Sequence, residues 1–179
     1  SQRSSKIDAI TRIVQFVVSN RRKVVIFSSF PEALRILKSN MVERGVSDDL
    51  IVNLNSSSTT QGRDSLIEEF RNGEASVLLS TFSIGSRGLT LIEANHVVLA
   101  DPCHEQTAWR QAVRRIWRIG QNRPVHVWRP LMMNSIEKYV KEASDNIMEV
   151  EEEELIQNSS DISDLLHALK ITKRNVWND

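Results

Sequence analysis

The residues that most constrain the fold are runs that stay apolar on consecutive positions instead of alternate ones. Lys-Val-Val-Ile-Phe-Ser-Ser-Phe (23–30), Ser-Val-Leu-Leu-Ser (76–80) and His-Val-Val-Leu-Ala (96–100) are short and rich in β-branched residues. A strand with one wet face alternates polar and apolar residues. A strand that is apolar throughout needs cover on both faces, as in a parallel sheet. Leu-Ile-Val-Asn-Leu-Asn (50–55) and Val-His-Val-Trp-Arg (125–129) read as two further strands. Between them lie segments with helical spacing. Residues 6–19 carry Ile7, Ile10, Ile13, Val14, Val17 and Val18. Pro31 opens a helix with Leu34, Leu37 and Val42 inward, stopped by Gly45. The segment 56–73 is a polar turn followed by a helix bearing Leu66, Ile67 and Phe70. Thr107 to Trp117 and Ser135 to about Met148 read as helices as well. The expected fold class is α/β, a three-layer sandwich with a mainly parallel sheet and helices on both faces. In such sheets ligands bind at the carboxyl ends of the strands. Ser28-Ser29, Asn55 to Thr59, Ser80 to Gly88 and Asp101-Pro102 are expected there.

At 179 residues the chain is long enough for one domain with a substantial core. Residues 1–148 read as that domain. Residues 149–179 read as an appendage, with an acidic run (Glu149, Glu151 to Glu154) and a short helix over 161–171 capped by Ser160 or Asp161. No apolar run approaches the roughly 20 residues of a membrane-spanning helix, so no membrane partner is expected. The opening polar residues lead into an amphipathic stretch and do not resemble a signal peptide. Cys103 is the single cysteine, which excludes an internal disulfide and points to a reducing compartment. His96, Cys103, His104 and His126 have no recognised zinc-ligand spacing, so no metal site is expected in this chain.

Net charge is zero, yet the charge is unevenly spread. Arg110, Arg114, Arg115, Arg118, Arg123 and Arg129 fall in one stretch with no Asp or Glu among them. Arginine cannot shed its charge, so such a cluster repels itself unless an anion is near. On a helix, Arg115-x-x-Arg118 would put both guanidinium groups on one face, about one turn apart. The cluster is either a solvated helix end or a pair of planar forks for phosphate oxygens. Gly85 and Gly88, just after the third strand, either serve an ordinary turn or let backbone N–H groups approach a phosphate.

The order of these segments resembles the second RecA-like lobe, the helicase C-terminal domain, of Swi/Snf-type ATP-dependent DNA translocases, the chromatin remodellers and their repair relatives. Lys-Val-Val-Ile-Phe-Ser-Ser-Phe looks like motif four. Val-Leu-Leu-Ser-Thr-Phe-Ser-Ile-Gly-Ser-Arg-Gly-Leu-Thr-Leu is similar to motif five. Gln111 to Gln121, Gln-Ala-Val-Arg-Arg-Ile-Trp-Arg-Ile-Gly-Gln, resembles motif six. The likeness covers roughly residues 5–145 and marks a divergent member. Trp117 stands at the family's His, Asn55-Ser56 at its Asp-Gly, and Ser83, Ile84 and Ser86 at the Lys, Ala and second Gly of motif five. Asp-Pro-Cys-His-Glu-Gln-Thr-Ala-Trp (101–109) takes the place of an Asp-x-Trp-Trp-Asn-Pro stretch.

The resemblance implies that Arg115 and Arg118 are catalytic arginine fingers reaching ATP, and that Gly85, Gly88 and Gln111 are nucleotide-binding. It implies that Ser28, Ser29, Ser57, Ser58, Thr59 and Ser83 touch the DNA backbone, with weak sequence preference and strong salt dependence. No glycine is followed by Lys-Ser or Lys-Thr and no Asp-Glu-x-His occurs. ATP and Mg²⁺ are therefore expected to be held mainly by an N-terminal RecA-like lobe of the same parent chain, and this lobe alone is expected to be inactive. The implied partner is double-stranded DNA, nucleosomal in a remodeller, in the nucleus, with residues 149–179 available to a protein partner. The rival expectation is a degenerate lobe that acts as a non-catalytic scaffold.

Overall fold

A computed structural model describes residues 5–57, 59–85, 88–101 and 106–130. Chain order is α1 (Ser5–Ser19), β1 (Val24–Ser28), α2 (Pro31–Glu43), β2 (Ile51–Asn53), α3 (Thr60–Asn72), β3 (Val77–Thr81), α4 (Phe82–Gly85), β4 (His96–Leu99), α5 (Gln106–Arg114) and β5 (His126–Trp128). The strands form one five-stranded sheet in the order β2-β3-β1-β4-β5. Every pairing is parallel, with Val24 opposite Val77 and His96, and His96 opposite His126. The expected α/β architecture is the one found.

The continuous apolar runs are buried along their whole length in β1, β3 and β4. Successive side chains point to opposite faces, so each strand feeds two cores. Val25, Phe27, Leu78, Val97 and Val127 meet Ile67 and Phe70 of α3 and Ala112 and Val113 of α5. Val24, Ile26, Val77, Leu79 and Val98 meet Ile10, Val14 and Val17 of α1 and Leu34, Leu37 and Met41 of α2. The chain crosses from β1 to β2 in one direction along the sheet, then returns through β3, β4 and β5 in the other. A single hand of crossover therefore puts α2 on one face and α3 and α5 on the opposite one.

Several expectations are corrected. Val42 is 41% exposed, and Asn40 and Met41 turn inward in its place. Buried Asn40 is tolerated because its Oδ1 accepts the Thr11 hydroxyl at 2.7 Å. The second strand is shorter than 50–55, because residues 54–56 coil into a 3₁₀ turn on an Asn53 side-chain cap. The fifth helix closes at Arg114, before Trp117. The expected helices over 135–148 and 161–171, and the boundary at 148, lie outside the described residues.

Candidate functional site

Two groups of site residues lie on opposite edges of the sheet. At the carboxyl edge the ends of β1, β2, β3 and β4 present mostly neutral polar groups. The Thr81 hydroxyl donates to Asn55 Oδ1 at 3.2 Å and lies 3.0 Å from the Ser83 hydroxyl. The Asn55 N–H donates to Asn53 Oδ1 at 3.0 Å. This joins the exits of β2 and β3 into one hydroxyl and amide row. Thr59 caps α3, its Oγ1 accepting the Gly62 N–H at 3.1 Å. The Ser57 hydroxyl donates to the Thr59 carbonyl at 3.2 Å, and the Ser57 carbonyl accepts Arg63 Nε at 3.1 Å. Gly62 has a steric reason to be glycine: a Cβ there would run into the Ser57 and Thr59 hydroxyls. Ser58 lies outside the described residues.

Ser28 and Ser29 separate. Ser28 is fully buried, and its hydroxyl is turned into its own bend, accepting the Phe30 N–H at 3.0 Å and lying 3.3 Å from the Phe30 carbonyl. Ser29 is exposed, and its N–H donates to Asp101 Oδ2 at 2.8 Å, which ties the ends of β1 and β4 together.

At the amino edge stand the arginines. Helix α5 leaves the carboxyl end of β4 and runs back along the sheet, so its last residues reach the end where β4 and β5 begin. Several bonds fix that placement. The His126 N–H donates to the Asn95 carbonyl at 2.8 Å, and the Leu91 N–H to the Arg115 carbonyl at 2.8 Å. Arg123 Nη2 donates to the Glu93 carbonyl at 2.6 Å. With strands of up to five residues and about 3.3 Å per residue, the two edges are about 15 Å apart.

Beyond Arg114 the backbone tightens. The Arg115 and Ile116 N–H groups reach back only three residues, to the carbonyls of Ala112 and Val113. Arg115 and Arg118 therefore sit on a turn and not on one helical face. Arg115 is partly buried; Arg118 is exposed and donates from Nη1 to the Thr90 hydroxyl at 2.9 Å. Ile119 beside it is 99% exposed. Gly120 closes the turn at φ +101°, where an added Cβ would sit 3.1 Å from Ile92 Cδ1.

Gln121 faces inward. Its Nε2 lies 3.0 Å from the Ile92 carbonyl, 2.7 Å from that of Ala94 and 3.3 Å from that of Ile116. Two hydrogens shared over three carbonyls pin residues 92–94 against the arginine turn. Gln111 is exposed on α5. Gly85 ends α4. Gly88 is exposed with φ +78° and open space around its Cβ position. Backbone conformation, and not close approach, selects glycine at 88.

Sequence reasoning missed Thr90 and Arg71. Arg71, in the last turn of α3, donates to the Thr90 carbonyl through Nε at 3.2 Å and Nη2 at 2.6 Å. A basic residue there reads as a partner of the helix dipole, and no local spacing connects it to Thr90 or Arg118. Among the described residues, no group of His, Cys, Asp and Glu is arranged to hold a metal ion. No described helix is long and apolar enough to cross a membrane.

Residues 5–120 match the model of the helicase conserved C-terminal domain. The chain is 35% identical over 141 residues to the DNA repair protein RAD5 of Candida albicans, covering 75% of this chain and 13% of that protein. It is 29% identical over 151 residues to transcription termination factor 2 of Drosophila melanogaster, covering 82% of this chain and 14% of that protein. Protein CHROMATIN REMODELING 24 of Arabidopsis thaliana is 30% identical over 140 residues, 76% of this chain and 12% of its own length. Among solved structures, the C-terminal part of the Fun30 ATPase domain superposes with a TM-score of 0.71 at 27% identity, over 78% of this chain and 45% of that one. The chain thus spans a small part of the length of the relatives it matches.

Proposed function

The chain belongs to the helicase conserved C-terminal domain family, with relatives of the Swi/Snf type, and from that premise we propose that it is the C-terminal motor lobe of an ATP-dependent double-stranded DNA translocase. ATP is the substrate, held with Mg²⁺ mainly by an N-terminal RecA-like lobe of the parent protein. Arg115 and Arg118 approach the triphosphate from this lobe, beside the segment that holds Gly85 and Gly88, with Gln111 on the neighbouring helix. Their donor set fits phosphate oxygens, whereas a divalent cation needs oxygen ligands. When bound, Mg²⁺ would supply charge neutralisation to the triphosphate. The part this chain plays is to present cationic forks where charge spreads over the transferred group. At the carboxyl edge, Ser29, Ser57, Ser58, Thr59 and Ser83 grip DNA phosphates through hydroxyl and N–H donors, with Ser28 shaping the turn that presents Ser29. The N-terminus of α3 adds the positive end of its dipole to that surface. DNA repair and chromatin relatives support a nuclear site of action, with nucleosomal DNA as one substrate and a protein partner for residues 149–179.

The observation that carries this reading is Arg118. It is a permanent cation, exposed at one edge of the sheet, and among the described residues its contact is a neutral hydroxyl and not a carboxylate. A surface ion pair would have used up the fork; this one remains available to an anion from outside. Exposed Ile119 beside it supports a face that meets another protein surface.

The test is DNA-stimulated ATP turnover by the two-lobe protein. Arg118→Ala is expected to lower kcat on the order of 10³-fold or more, with an unchanged melting temperature because the side chain is exposed. The isolated lobe is expected to show no turnover. Undiminished turnover by the Arg118→Ala protein contradicts the finger assignment. A folded two-lobe protein that DNA does not stimulate favours the scaffold reading.

A further inference from the structure

Three segments meet at the dipeptide Thr90-Leu91. The Thr90 carbonyl accepts both Nε and Nη2 of Arg71, the Thr90 hydroxyl accepts Nη1 of Arg118, and the Leu91 N–H donates to the Arg115 carbonyl. Helix α3, the segment after α4 and the arginine turn are therefore tied at one point. Two guanidinium groups bonded to atoms of the same residue repel each other. That repulsion persists in the fold, so the arrangement calls for a reason.

Chemistry supplies one. An exposed arginine loses much rotamer freedom when it is fixed, and a finger that orders only on meeting its phosphate bears that loss during the reaction. A hydroxyl on a β-branched residue is a stiff acceptor, because χ1 of threonine is restricted. The fork of Arg71 chelates the carbonyl of that same residue and so fixes where its backbone places the hydroxyl. A carboxylate in place of the hydroxyl would hold Arg118 too well and cancel its charge. A neutral oxygen orients the fork and leaves the charge intact. Arg118 bonds Thr90 through one Nη1 contact, so its other N–H groups are not committed to Thr90.

We infer that Thr90 and Arg71 are positioning residues for Arg118: Thr90 Oγ1 holds the guanidinium in its working orientation before the nucleotide arrives, and Arg71 holds Thr90. Neither touches the nucleotide. This rests on Arg118 being the finger described above.

The experiment is ATP turnover by the DNA-bound two-lobe protein, steady-state for KM and kcat and single-turnover for slow variants. Thr90→Val keeps the shape and removes the acceptor. It is expected to lower kcat about tenfold, with KM for ATP changed less than about twofold, and Thr90→Ser is expected to restore most of the loss. Arg71→Gln keeps an amide donor and breaks the chelate; a smaller loss in kcat is expected. In an Arg118→Ala background both substitutions are expected to be silent, because residues that act through the finger have nothing left to act on. Wild-type kcat in Thr90→Val overturns the inference while leaving the finger intact. A loss of the same size in the Arg118→Ala background also overturns it, since the role is then general to the fold. Normal turnover by Arg118→Ala alone removes the finger reading and this inference with it.

Discussion

His96, fully inside the sheet, cannot easily take a proton. Its ring stacks on His126 with centroids 4.8 Å apart, and its Nδ1 accepts Trp128 Nε1 at 3.1 Å. Burial, then the neighbouring His126, Arg22 and Arg123, lower its pKa to about 4. The unfolded chain takes up that proton near pH 6.5. In between, the unfolded state binds more protons, so stability rises with pH. The contribution of His96 is complete above about pH 6.5 and is lost as pH falls towards about 4. Denaturant midpoints measured across that window are expected to drop, and His96→Gln is expected to flatten the profile. Gln121 makes a different point at the same scale. It ends the arginine motif as a polar residue, and its amide is spent on backbone carbonyls. Gln121→Ala leaves those carbonyls short of a partner and is expected to cost about 1–3 kcal/mol of stability in urea unfolding.

Helix ends decide more than helix faces here. Lys23, one residue before β1, sends its Nζ to the carbonyls of Phe70, Gly73 and Ala75 at 2.7, 3.1 and 2.7 Å, and lies 5.4 Å from the Phe70 ring centroid. It satisfies the carboxyl end of α3 in place of water. Burial lowers its pKa even against the pull of Glu69, Glu74 and Glu93. Lys23→Met is expected to cost about 2 kcal/mol and to speed hydrogen exchange in residues 70–75 before the rest of the lobe. The length of α5 was legible only in part. Its apolar spacing continues through Ile116 and Trp117, which pack on the core, so periodicity alone extends the helix past its end. The chain needs a tight turn to start back towards β5, and the tertiary bonds of residues 90–95 take over from the helical ladder. Val42 failed for a related reason: Thr11 on α1 offers Asn40 a buried partner, and a polar residue wins the inward position.

Across the whole molecule, the site divides between two edges of one sheet. The carboxyl edge presents neutral hydroxyl and amide groups, which on the proposed reading would meet phosphates without displacing counterions as lysine and arginine do. Ser29→Ala combined with Ser83→Ala is therefore expected to weaken binding of the two-lobe protein to all DNA sequences alike. The slope of log affinity against log salt is expected to stay unchanged, as measured by titration at several ionic strengths. A changed slope would mean that these residues anchor a cation and not a phosphate. From the rule that ligands meet an α/β sheet at its carboxyl ends, the sequence places Ser28-Ser29, Asn55 to Thr59, Ser80 to Gly88 and Asp101-Pro102 at that edge. Ser29, Asn55, Thr81 and Ser83 do lie there. The rule assigns no edge to Arg115 and Arg118, which α5 carries back to where its neighbouring strands begin.

The sequence by itself determined the class of fold, since continuous apolar strands between amphipathic helices have few other ways to bury both faces. It also determined the order of the elements and singled out Arg115 and Arg118 by their spacing. Only the tertiary structure decided which groups face out and which are spent within. Ser28 and Ser29, or Arg118 and Gln121, are near neighbours along the chain, and each carries hydrogen-bond donors. What separates them is which backbone groups lie within hydrogen-bond reach. Those groups come from segments distant in sequence, so no local pattern can carry that information.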